Sequence, residues 1–158
     1  MVVAPLSRGT IAMTDSAFAA QRHSHNPSAG AAVAAVLPLA GRILIAAIFL
    51  ISGVMKLAAP AGTIGYIQSV GLPLPELGLA IAVVVEIGGG LALILGYRTR
   101  AVAAALALFT LATALLFHVN LADQNQFIHF FKNLAITGGL LQVVAFGAPR
   151  LSLDSRRG

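Results

Sequence analysis

VVVEIGGGLALIL, residues 83–95, is apolar throughout except for one carboxylate, Glu86, which three glycines follow almost at once. Extended back to Leu74 the run reads LPELGLAIAVVVEIGGGLALIL, and its length is about the ~20 residues a helix needs to cross a ~30 Å hydrocarbon layer. Three further blocks have the same character: LAGRILIAAIFLISGVMKLA (39–58), AVAAALALFTLATALLFH (101–118) and FIHFFKNLAITGGLLQVVAF (127–146). Only a helix satisfies all the backbone of a single span inside lipid. The expected fold is therefore all-α, an integral membrane four-helix bundle.

Composition agrees. Of 158 residues, 58% are hydrophobic and 9% charged, with a mean hydropathy of +0.92, against roughly 25% charged residues in a soluble domain. There is no cysteine, which removes disulfides, thiolate nucleophiles, iron–sulfur ligands and Cys-type zinc sites together; no metal site is expected. The net charge of +5 does not indicate nucleic acid, because the basic residues lie at the ends of apolar blocks rather than in a patch interleaved with aromatics. The partner these residues face is the lipid bilayer.

Residues 1–38, rich in Ala and Ser with scattered Arg and His, read as a disordered tail. Met13 is an alternative start, and the stretch ending at Pro38 is too weakly apolar and too broken for a cleaved signal peptide. Residues 148–158 read as a basic C-terminal tail, and the four-helix domain as 39–147. Arg8, Arg22 and Arg42 precede or open the first block, Arg98 and Arg100 fill the second linker, and Arg150, Arg156 and Arg157 follow the fourth. The first and third linkers hold neither Lys nor Arg, so the positive-inside rule places both termini in the cytoplasm and linkers 59–73 and 119–126 outside. The 59–73 linker, with Pro and Gly breakers at both ends, is expected to lie at the interface.

At ~1.5 Å per residue Glu86 lies about 18 Å into its helix, near the midplane. Lys132, Lys56, His118 and His129 fall in the outer half. At ~100° per residue, His129, Lys132 and Asn133 share one face of the fourth helix, and Ser52 and Lys56 are one turn apart on the first. Gly89 and Gly90 share the face of Glu86 and would leave room beside it for a neighbouring backbone or a bound molecule. A lone carboxylate at this depth must be paired, protonated or next to water, and Lys132 is the expected partner, with Lys56 further away. Two readings stand at this point: an ion pair that only fixes helix register, or a functional pocket, which is the usual meaning of ionisable residues in a membrane. On the second reading Glu86, Lys132 and His118 form a proton-handling set, and Lys56, Ser52, His129, Asn133, Gly89 and Gly90 line a ligand site. Haem between His118 and His129 is disfavoured, since helices joined by a short loop pack ~8–10 Å apart.

The segments GRILIAAIFLISGVMKL, VEIGGGLALILGYRTR, LLFH and QFIHFFKNLAITGGLL, in that order and spacing, resemble the DoxX family of small four-helix bacterial membrane proteins over residues 40–147. The positions that fit the family pattern are Gly41, Arg42, Ser52, Gly53 and Lys56, then Glu86 with its glycines, Arg98 and Arg100, His118, and Lys132 with Asn133. The family takes its name from a subunit associated with an archaeal quinol-linked oxidase, and other members are linked to thiosulfate-to-quinone electron transfer and to an oxidoreductase complex for thiol and oxidative stress. The resemblance thus implies a subunit of a membrane oxidoreductase, with a quinone as the cofactor, none being intrinsic, and a soluble or membrane-bound redox partner. The lack of cysteine argues against carrying over thiol chemistry. The competing expectation is a non-catalytic scaffold or transporter-like protein that holds a small apolar ligand or a partner.

Overall fold

A computed structural model describes residues 27–148 and 150–156. The chain divides into two units, Met1–Ala34 and Ala35–Gly158, and of the first only the start of one helix is described. The expected disordered tail, up to residue 26 and including both candidate start methionines, lies outside the described residues.

The first helix, α1 (Pro27–Ala58), begins at Pro27 rather than at the expected Leu39. The reason is local. Alanine, the strongest helix former, is the commonest residue of PSAGAAVAAVL, and proline at a helix start has no bond to lose. Pro38 sits inside the helix; it removes one backbone bond and crowds the turn before it, yet the helix continues through it. A short helix, α2 (Pro60–Ser69), occupies the linker expected at the interface, and ends where Gly71 takes a left-handed conformation at φ 75°.

The second span is Pro75–Leu95. It comprises α3 (Pro75–Val83), a single π-helical turn (Val84–Gly88) and α4 (Gly89–Leu95). Helices α5 (Thr99–Phe117) and α6 (Gln124–Phe146) complete the four spans. Asp123 caps α6, accepting from the Gln126 N–H at 2.9 Å, which starts that helix ahead of the expected residue 127. A core of Ala46, Phe49, Leu93, Ala103, Leu106, Ala107 and Leu140 joins the spans. Large side chains such as Leu44, Val84, Leu108 and Phe146 point outward and exposed, as a lipid-facing surface requires.

Glycines set the approach of the spans. A Cβ on Gly53 of α1 would lie 2.6 Å from Ile87 Cγ1 and 3.3 Å from Glu86 Cβ, so only glycine lets α1 reach the π-turn. A Cβ on Gly89 would meet Leu106 at 2.8 Å, and one on Gly90 would meet Leu50 at 2.9 Å.

Within the expected C-terminal tail, Leu153 and Asp154 bond back to the end of the second span. Leu153 N–H donates to Leu95 O and Asp154 N–H to Gly96 O, both at 2.9 Å. The Asp154 carboxylate accepts from Arg98 N–H at 2.8 Å and from Thr99 N–H and Thr99 Oγ1 at 2.7 Å, capping α5 from a distant part of the chain. Beneath this clasp Arg42 is fully buried. Its guanidinium donates to the carbonyls of Leu151 (2.8 Å), Leu93 (3.4 Å) and Pro38 (3.4 Å). Gly96, at φ 65°, leaves the space that Arg42 and Ser152 occupy. Asp154→Ala is expected to lower the unfolding free energy by the about 1–2 kcal/mol that a lost cap costs, seen by circular dichroism as a lower thermal midpoint of the detergent-purified chain. An unchanged midpoint would contradict the clasp.

Candidate functional site

Glu86 occupies the π-turn, where the extra residue in the turn breaks the regular ladder, a feature common at functional positions. It is buried at 5% exposure. Its partner is Lys56, with Nζ 2.9 Å from Oε1 and 3.0 Å from Oε2. Ser52 Oγ donates to Oε1 at 3.1 Å and accepts from Lys56 Nζ at 2.7 Å. The three groups form a closed triangle in which all three ammonium protons have acceptors.

This corrects the expected pairing of Glu86 with Lys132, which instead donates from Nζ to His129 Nδ1 at 2.8 Å. The cause is helix direction. Side chains lean toward the N-terminus of their own helix. On α1 that lean carries Lys56 from the helix end back toward the middle of the bundle, to the level of Glu86. On α6, which starts at the α2 end, the same lean carries Lys132 toward that end and away from Glu86. Counting residues from helix ends ignores this displacement; comparing the directions of the two helices would have favoured Lys56.

Of the two occupants expected beside Gly89 and Gly90, a neighbouring helix or a bound molecule, the structure places neighbouring helices there. Gly89 and Gly90 abut Leu106 and Leu50, so they serve close packing with α5 and α1, and the space beside Glu86 is not theirs.

That space is a cavity of about 1020 Å³. Ser52, Met55 and Lys56 line it from α1, Thr63, Tyr66 and Ile67 from α2, and Ala82 and Glu86 from the second span. Phe109, Thr110, Thr113, Phe117 and His118 contribute from α5 or its end, and His129, Lys132, Asn133 and Ile136 from α6. Every expected site residue except the two glycines therefore faces one space. Its walls are mostly apolar.

At the α2 end the polar groups are linked. His118 Nδ1 donates to Gln126 Oε1 at 2.8 Å, and the His118 and His129 rings stack with centroids 5.1 Å apart. Since Lys132 occupies His129 Nδ1, the neutral His129 ring carries its proton on Nε2. Tyr66 Oη donates to the Phe117 carbonyl at 2.8 Å and fastens α2 over the end of α5. Gln126 Nε2 in turn reaches Tyr66 Oη at 3.4 Å. Sequence reasoning missed Tyr66, Thr110, Thr113 and Gln126. Their only signal was polarity on a face that becomes visible once the helices are paired.

The DoxX family model matches residues 37–119 of this chain, which carry the Ser52–Lys56–Glu86 triangle and His118. The chain belongs to the DoxX family. Inner membrane protein YqjF of Escherichia coli K12 is 40% identical over 116 residues, covering 73% of this chain and 88% of its own length. Inner membrane protein YphA of the same organism is 36% identical over 126 residues, covering 77% of this chain and 90% of its own length. No solved structure matches.

For this DoxX chain a double-mutant cycle in unfolding free energy tests the corrected pairing. Glu86→Gln leaves the half-buried Lys56 charge without its counter-charge and should cost roughly 1–3 kcal/mol, below the figure for a fully buried pair, of which Lys56→Met added to it should restore part. Lys132→Met should add independently to Glu86→Gln. Stronger coupling of Glu86 to Lys132 than to Lys56 would contradict the geometry.

Proposed function

We propose that this DoxX protein binds a quinone-class ligand between its helices, as the membrane subunit of an oxidoreductase in the inner membrane. The observation that carries this reading is the cavity of about 1020 Å³, apolar in most of its wall, into which a few hydrogen-bonding side chains converge. A quinone ring is apolar on its faces and presents carbonyl acceptors at its edge. Lys132, Asn133 and the Nε2–H of His129 supply donors on one side, while the Thr110 and Thr113 hydroxyls on another wall already donate to the Leu106 and Thr110 carbonyls. Lys56 and Ser52 hold the Glu86 carboxylate at the cavity wall.

Reduction of a quinone takes up protons as well as electrons, and a redox partner protein is the source of the electrons. Glu86, Lys132 and His118 are the groups proposed to exchange those protons. His118 and Gln126 connect the cavity to the α2 end of the bundle. The arginine bias supports an orientation with both termini in the cytoplasm, which a reporter fused after Gly158 reads out. That the E. coli relatives are named inner membrane proteins supports the same membrane for this chain.

A second reading, a non-catalytic scaffold or transporter-like protein, draws on the closed Ser52–Lys56–Glu86 triangle, which leaves no spare donor and suits a structural role. Purification in mild detergent separates the two. Solvent extraction should release quinone, and a short-chain quinone should bind the emptied protein about 5-fold more weakly after Lys132→Met or Asn133→Ala, the effect of one lost hydrogen bond of about 1 kcal/mol. No copurifying quinone together with no binding of the short-chain analogue would favour the scaffold.

A further inference from the structure

At the opposite end of the bundle from the triangle, a second hollow of about 540 Å³ lies between the start of α5, the end of α6 and the C-terminal clasp. We propose that it holds the phosphodiester headgroup of an anionic phospholipid, bound by Arg98 and Arg100. This site is independent of the quinone reading.

Three observations carry it. First, the hollow has an uncompensated charge. Arg98 and Arg100 both line it, both are exposed, and among the described residues neither is in an ion pair. The one carboxylate in the wall, Asp154, already accepts three hydrogen bonds from the Arg98 and Thr99 N–H groups and the Thr99 hydroxyl. Two guanidinium charges thus face one engaged carboxylate.

Second, the backbone makes room for one of these cations. Gly147 ends α6 at φ 69°, and a Cβ there would come within 3.1 Å of Arg100 Nε. The Arg100 side chain therefore passes close to the end of α6, with its guanidinium exposed at the hollow. A planar, exposed guanidinium is well suited to two oxygens of one phosphate.

Third, the rim is apolar on the side that meets lipid. Ala101 and Phe146 border the hollow, and Phe146 is 72% exposed at the end of a membrane span. A lipid set with its phosphate on the arginines has an apolar surface beside it for the start of its acyl chains. A free phosphate ion has no use for that surface. Basic pockets at helix ends are where anionic headgroups bind.

The test is native mass spectrometry of the full chain released from nanodiscs containing equal phosphatidylglycerol and phosphatidylcholine. Preferential retention of phosphatidylglycerol is expected, falling about 5-fold with Arg98→Gln or Arg100→Gln and roughly 25-fold with both, from about 1 kcal/mol for each cation. Because Arg98 begins a helix with φ 44°, the variant pair Arg98→Lys and Arg100→Lys serves as the folding control and should keep most of the preference. Equal retention of the two lipids by the native chain, or an undiminished preference in the double glutamine variant, would overturn the proposal. Displacement of the lipid by millimolar inorganic phosphate would also overturn it, since that would assign the site to a soluble anion.

Discussion

A carboxylate within the hydrocarbon layer has to be satisfied from inside the protein, and the arrangement of this bundle follows from how Glu86 is satisfied. Lys56 and Ser52 reach it from α1. They can do so because Gly53, on the same helix, brings the α1 backbone against the π-turn, where any larger residue would strike Ile87. The π-turn gives Glu86 a position that a regular helix would not. One charge thereby fixes the contact between the first two spans, and the remaining helices close around the cavity beside it. The net contribution of such a pair to stability is small, because desolvation offsets attraction, whereas removal of one partner is costly. Its value to the fold is therefore one of register.

The two ends of the protein solve different problems. At the arginine end, Arg42 is enclosed and its charge is met by carbonyls from α1, α4 and the C-terminal segment, while Asp154 caps α5. That end is packed shut below its surface hollow. At the other end α2 lies across the helix ends, held by Tyr66, and the space beneath it opens toward Glu86. An apolar cavity with convergent polar groups at one end and a closed polar plug at the other is an arrangement suited to holding a small molecule within the membrane.

Much of this is legible in the sequence. Four apolar blocks of membrane-crossing length define the spans, because hydropathy over such a window is a direct record of the solvent. The residues on the polar faces, Ser52, Lys56, Glu86, His118, His129, Lys132 and Asn133, do converge on one cavity. Partner choice was not legible, because it depends on the lean of side chains along antiparallel helices and on the close approach of α1 to the π-turn at Gly53. Gly89 and Gly90 lie near Glu86 along the chain, but what they admit is decided by Leu106 and Leu50 on other helices. The early start of α1 was hidden by Pro38, whose cost a long alanine-rich helix can absorb. Arg42 and the C-terminal clasp were read as simple positive charges at a membrane face, since nothing local says that a distant aspartate will cap α5.

Lys56 and Glu86 form an ion pair within the membrane-spanning bundle. Infrared difference spectroscopy of the native chain against Glu86→Gln in lipid, at neutral pH, tests it most directly. The bands lost on substitution are expected to be those of a carboxylate anion, altered by Lys56→Met and unchanged by Lys132→Met. A protonated carboxylic acid band lost in Glu86→Gln, or carboxylate bands that respond to Lys132→Met and not to Lys56→Met, would contradict it.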